Sequence, residues 1–266
     1  MRKSHTLMAA AVLLSGSTFL YLGHDRERSE DGDVSEPALV PISDSPPDIA
    51  AITDTKTKKQ TFFDYLRPGI EIENARIEKE RQRILRFKNA LDEQSLTQEQ
   101  IETAKRLGRL YNLEPTEVTY QWIEQLLHRV DVLPEALVLT QAANESAWGT
   151  SRFAKEANNY FGQWCYSKGC GVVPLQRGTG KSHEVAKFSS PQESIYGYFM
   201  NVNRNNAYAE LRTIRSQIRD EGQSPLTEAS ALKLTNGLLR YSERGEAYVK
   251  DLQAMIRHNE EFWISK

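Results

Sequence analysis

Glu145 lies near the end of the run Gln141 to Gly149 (QAANESAWG), in a helical stretch too apolar to be a solvated face. Spacings of four, four and three put Leu137, Gln141, Glu145 and Trp148 on one helical stripe, which begins apolar and ends in a carboxyl beside an indole. At the negative end of a helix dipole, next to an aromatic ring, a carboxylate is disfavoured, so Glu145 is expected to keep its proton to higher pH than an ordinary Glu. Such a carboxyl can act as a general acid, and protonating the poor leaving oxygen of a glycosidic bond is the reaction that needs one most. The same spacing also allows a plain role, in which Glu145 pairs with Arg152 or hydrogen-bonds a helix end.

Downstream, Asn158, Asn159, Tyr160, Phe161 and Trp164 cluster amides and aromatic rings that could hydrogen-bond hydroxyls and stack on pyranose faces, although Phe161 reads more simply as core. Cys165 and Cys170 are the only cysteines; in an exported chain so close a pair reads as a disulfide around a short loop. Two thiols cannot complete a zinc shell, and His183 and Glu184 add no recognised ligand spacing, so neither a metal nor any other cofactor is expected. His128 and His258 sit in helical stretches with nothing arranged for a serine or cysteine nucleophile.

The elements that must position these residues follow from pattern. With 266 residues and 39% hydrophobic composition, the chain can build one substantial core plus an extension. The balance of 34 basic and 36 acidic residues leaves a formal charge of −2 and gives no electrostatic case for nucleic acid. Residues 1–24, with Arg2 and Lys3 ahead of an apolar run over 7–22, read as an export signal that is either cleaved or kept as a membrane anchor. From Asp25 to Thr55 there are nine acids against two arginines, with Pro37, Pro41, Pro46 and Pro47, so residues 25–57 are expected to be a disordered acidic linker.

Folded structure is expected from about Phe62, with a helix over 71–91 that lacks Gly and Pro. Thr97 and Gln100 have capping-box spacing ahead of a second helix, Pro115 is placed to open a third, and Pro134 a fourth that runs to Trp148 and stops at Gly149. Residues 58–130 thus form a helical extension. Between Asn158 and Pro191, glycines separate short runs such as Val172 Val173 and Val185 to Phe188, which suggests a small hairpin. Helical patterns return over 194–202, 207–218 and 245–262, so the fold is mainly α with a minor β element.

QAANESAWG, followed by Ser151 Arg152 Phe153 Ala154 and by Asn158 Asn159 Tyr160 Phe161 Gly162 (NNYFG), resembles the signature of the bacterial glucosaminidase family, which includes flagellar muramidases and cell-wall autolysins. The likeness continues through Phe188, 194–198, Asn206 Ala207 Tyr208 and Tyr241 to Tyr248, about half the chain. It implies a lysozyme-like fold over residues 131–266, with the acid Glu145 on a helical lobe facing a small β-hairpin lobe, and the glycan strands of peptidoglycan as partner. Glu184 falls where similar proteins carry a β-lobe Glu, though on a shorter loop that holds the cysteine pair, so it reads as a second carboxylate or as a hairpin surface charge. Tyr241 and Tyr248 match a segment that lines the cleft in similar enzymes. Tyr241 is the better candidate for a role at the reacting centre, with Tyr248 and Tyr208 joining Asn159, Tyr160 and Trp164 as substrate contacts.

These readings together describe an exported endo-β-N-acetylglucosaminidase of the periplasm or cell envelope. The alternatives are a lytic transglycosylase, which needs only the single Glu and leaves an anhydro sugar, and a wall-binding module without activity. Inversion, retention and attack by the substrate's own amide oxygen all stay open, because sequence does not measure the gap between Glu145 and Glu184.

Overall fold

The first helix begins earlier than its Gly-free and Pro-free stretch suggests. In the computed structural model, which describes residues 41–114, 117–174 and 183–263, helix α1 spans Thr55–Asp92 and carries Pro68 and Gly69 in its interior. Asp54 starts it by accepting the Thr57 N–H at 2.8 Å. An interior proline costs a helix about 3 kcal/mol. Here Phe62, Phe63, Leu66 and Ile70, on either side of it, are each at most 1% exposed. Burying a side chain of that size stabilises by roughly 1.5–3 kcal/mol, so the packing outweighs the proline.

The export signal or anchor at 1–24 and the linker up to residue 40 lie outside the described residues. The described end of the expected linker is packed, not disordered. Ile42 and Ile49 join the core, and Tyr65 donates to the Ser43 carbonyl. The segment is too polar to build a core of its own, yet two isoleucines are enough to dock it on a neighbour's.

Helix α2 (Gln98–Leu110) has both halves of its capping box, with Thr97 taking the Gln100 N–H and Gln100 taking the Thr97 N–H. Helix α3 (Tyr120–Arg129) starts after the expected Pro115, because Thr119 holds extended backbone and caps the Trp122 N–H. Helix α4 (Glu135–Ser146) follows Pro134, and α5 is Arg152–Ala157. Three short strands, β1 (Trp164–Cys165), β2 (Gly171–Val172) and β3 (Glu184–Ala186), form an antiparallel sheet in the order β1-β3-β2, with Trp164 opposite Val185 and Cys165 opposite Glu184. Then come α6 (Pro191–Arg204), α7 (Ala209–Asp220), α8 (Glu228–Leu234), absent from the sequence pattern because of its length, and α9 (Glu246–His258).

The result is a mainly α fold with a small antiparallel sheet, as expected of a lysozyme-like glucosaminidase domain. Residues 58–130 and 131–266 share one core, since α1 packs against α3, α4 and α6. Asn74 of α1 exchanges two 2.9 Å hydrogen bonds with the backbone of Leu133, and Arg67 pairs with Glu135 at 2.8 Å, so α1 fixes the start of α4. Below α4, the buried Asp131 carboxylate is gripped by Arg219 and flanked by Arg215 and Arg81. Among the described residues no helix is long and apolar enough to cross a membrane.

Candidate active site

Helix α4 is buried nearly all round: every residue from Ala136 to Ala143 is at most 4% exposed. It stops at Ser146, two residues short of the expected end, because Ala147, Trp148 and Gly149 all take positive φ (50°, 59° and 74°). Left-handed backbone at two consecutive non-glycine residues is strained and persists only where the surroundings impose it. Ser146 helps to do so, donating to the Ala142 carbonyl at 2.6 Å and accepting the Gly149 N–H at 2.8 Å. The turn also redirects Trp148. Its ring packs on Phe62 and Phe63 of α1, at 5.7 and 5.4 Å, where the helical stripe had set it beside the carboxyl.

Glu145, the penultimate residue of α4, is partly exposed and forms no ion pair among the described residues. Arg152, its expected alternative partner, turns to Glu156 and to the Val173 carbonyl. Burial pushes the Glu145 carboxyl above the ordinary carboxylate range, against the pull of hydrogen bonds from Tyr248 and Asn144. The Tyr248 hydroxyl donates to Oε1 at 2.8 Å and Asn144 Nδ2 donates to the same oxygen at 3.2 Å. The other oxygen, Oε2, faces Gly162 of the NNYFG run.

Behind this contact runs a buried chain. Gln141, fully buried one helical turn before Glu145, donates from Nε2 to Tyr248 Oη at 3.0 Å and accepts the Tyr198 hydroxyl at Oε1. Sequence does not single out Gln141 or Tyr198 as functional; the hints are that both fall in the family-like segments and that Gln141 is a polar residue on an apolar stripe. The tyrosines exchange their expected places. Tyr248 reaches the Glu145 carboxyl, whereas Tyr241 stacks on Tyr248 with rings 5.7 Å apart and 2° from parallel, and donates at 2.7 Å to the Phe161 carbonyl. Tyr241 therefore holds the NNYFG loop. Tyr208, mostly buried, packs against Tyr241 and lies close enough to feel the charge of Glu145.

Two expected sugar contacts are buried instead. Asn159 is 1% exposed and its amide ties the loop together, donating to the Gln163 and Ala186 carbonyls at 2.9 and 2.8 Å and accepting the Gln163 N–H at 3.0 Å. Tyr160, 2% exposed, packs against Phe62 and Tyr65. The loop after α5 turns both inward, Asn159 to satisfy its own backbone and Tyr160 to pack on α1. Trp164 is the contrast: it stands 48% exposed on β1, edge-on to His183.

Cys165 and Cys170 form a disulfide. Glu184 is not a surface charge. It is 4% exposed, and its two oxygens accept the N–H groups of Gly169 and Gly171 at 3.1 and 2.9 Å. Donor atoms of Cys165, Cys170 and Glu184 lie within 4.8 Å of one another, but the sulfurs are bonded together and the carboxylate is engaged by backbone, so the cluster braces the β lobe. Two concavities, of about 500 and 190 Å³, lie apart from Glu145; one is at the α1–α2 corner, the other between residues 46–50 and the far side of the Gly149 turn.

A family model described as glucosaminidase, mannosyl-glycoprotein endo-beta-N-acetylglucosaminidase, matches residues 120–261. The chain is also 32% identical over 220 residues to Protein bax of Escherichia coli (strain K12), an alignment covering 82% of this chain and 76% of that protein. No solved structure matches it significantly.

Proposed function

Because the chain belongs to the glucosaminidase family, we propose that it hydrolyses the glycan strands of peptidoglycan as an endo-β-N-acetylglucosaminidase, with Glu145 as general acid. The observation that carries this reading is a carboxyl at a strained helix end, half-buried, without an ion pair among the described residues, and with its pKa raised by burial. Protonated Glu145 gives its proton to the leaving oxygen as the bond to the anomeric carbon breaks, and the sugar develops oxocarbenium character. Water then adds its oxygen to that carbon, directly or after attack by the substrate's N-acetyl oxygen, and the proton it releases restores the Glu145 acid.

The second route gains support from Glu184, whose oxygens are both occupied by backbone amides. We assign Glu184 and Tyr241 to positioning, Tyr248 to direct contact with the acid, and Trp164 with Tyr208 to the sugar. The same chemistry implies an exported protein of the cell envelope, delivered by residues 1–24.

The test is digestion of purified peptidoglycan sacculi by the full chain, followed by mass spectrometry. New reducing ends on N-acetylglucosamine support the proposal. Anhydro-muramic ends would make the chain a lytic transglycosylase, and cosedimentation without any product would make it a binding module.

A further inference from the structure

We infer that Gln141 is a positioning residue that decides, through Tyr248, which oxygen of Glu145 carries the catalytic proton. The inference rests on Glu145 being the acid and adds how that acid is oriented.

The argument follows the direction of each hydrogen bond. An amide nitrogen only donates and an amide oxygen only accepts. Tyr198, fully buried and stacked on Phe161 with ring centroids 4.3 Å apart, has its hydroxyl committed to Gln141 Oε1. In this orientation of the amide Nε2 points at Tyr248, whose oxygen accepts there. The Tyr248 hydrogen then has to go elsewhere, and it goes to Glu145 Oε1 at 2.8 Å.

Oε1 receives a second hydrogen from Asn144. An oxygen facing two donors cannot also hold a proton pointing at either of them, so the acid proton sits on Oε2, on the Gly162 side. With the Gln141 amide reversed, Tyr248 would donate to Gln141 and accept from Glu145, and the proton would be turned inward, away from any substrate. The amide sets Tyr248, and Tyr248 sets the acid.

The groups facing Glu145 are Tyr248 from α9 and Asn144 from its own helix, while Tyr198, Tyr208 and Tyr241 feel its charge without bonding to it. No described Lys, Arg, His, Asp or Glu pairs with it. Loss of the Gln141 amide leaves Tyr248 free to accept from a protonated Oε1, which stabilises the neutral acid in an unproductive orientation. Turnover should therefore fall while the acid holds its proton to higher pH.

The test compares wild type, Gln141→Leu, Tyr198→Phe and Glu145→Gln on soluble peptidoglycan fragments, with a melting curve for each. Gln141→Leu should lower kcat by about tenfold or more with KM changed by less than about twofold, and should move the basic limb of the kcat/KM profile upward by roughly half a pH unit. Tyr198→Phe, the milder change, should act in the same direction with a smaller effect, and it decides the matter if Gln141→Leu does not fold. A purely structural role would lower the melting temperature and leave the limb where it was. The inference is overturned if a folded variant keeps the wild-type kcat and pH limb while Glu145→Gln is inactive. Turnover surviving in Glu145→Gln would instead overturn the acid assignment itself, and this inference with it.

Discussion

A β-carbon at position 162 would stand 3.2 Å from Glu145 Oε2, and Gly162 holds φ +62°, a conformation that costs side-chain-bearing residues about 1–2 kcal/mol. The glycine of the NNYFG run is thus the wall against which the free oxygen of the candidate acid rests. Gly162→Ala should lower activity on sacculi by about tenfold to a hundredfold, because displacing a reacting group by under an ångström is costly, while stability drops by only about 1–2 kcal/mol. Wild-type turnover in a folded Gly162→Ala protein would mean that Oε2 is not the reacting oxygen.

Glu145→Gln keeps the shape and removes the titrating proton, and the rate should fall by about two to four orders of magnitude. Stability should move the other way. The folded carboxyl holds its proton above its ordinary value of 4.5, so the stability linked to that proton is fully present below 4.5 and is lost as pH rises through the folded value. Gln does not titrate. Melting curves should therefore show the variant gaining on wild type between pH 4 and pH 8; a variant that loses ground over that range would contradict a raised pKa.

Legibility divides along physical lines. Helix α4 and the placing of Glu145 near its end follow from apolar periodicity, and the Pro134 start and the Thr97 capping box from residue type at fixed spacing. Trp148 leaves the helical stripe because Ala147 and Trp148 take left-handed backbone that neither residue type announces, held there by Ser146 and the surrounding packing. Asn159 and Tyr160 look like sugar ligands by type, yet type does not reveal whether an amide is spent on its own loop. Choosing between Tyr241 and Tyr248 depends on where α9 crosses α4, a long-range relation that spacing along the chain does not contain.

Glu184 lends both oxygens to backbone amides of the disulfide loop, and hydrogen bonds to a charged acceptor are worth about 1.5–3 kcal/mol each. Glu184→Gln sets an amide N–H against another N–H and should destabilise the protein by about 2–3 kcal/mol, with activity reduced but measurable. Urea denaturation beside turnover would show this. A loss as deep as that of Glu145→Gln, with native stability, would make Glu184 a reacting carboxylate.

The Cys165–Cys170 bridge closes a loop of few residues, for which chain entropy gives about 2 kcal/mol of stabilisation. Reduction with dithiothreitol, or the double change Cys165→Ser and Cys170→Ser, should lower the unfolding free energy by about that amount. Trp164, on the strand that ends at Cys165, should lose its fixed setting. KM should therefore rise more than kcat falls. The opposite pattern would place the bridge nearer the reacting atoms than the sugar platform.

Asp131 is 2% exposed beneath the start of α4, with Arg219 on both of its oxygens and the buried Arg215 and half-buried Arg81 beside it. Burial alone would raise its pKa, but the guanidinium groups of Arg215, Arg219 and Arg81 together hold it below 3.8. A depressed carboxyl contributes stability that is present above its unfolded value and is lost as pH falls through the folded one. Acid unfolding of wild type should therefore steepen below about pH 4. Asp131→Asn leaves Arg215 buried without its counter-charge and should cost about 3–5 kcal/mol at pH 7. The difference from wild type should shrink as pH drops below 3.8, since wild type then loses what the variant already lacks. Urea midpoints measured from pH 7 down to pH 2 would show the two curves converging; parallel curves would mean that the charge on Asp131 does no stabilising.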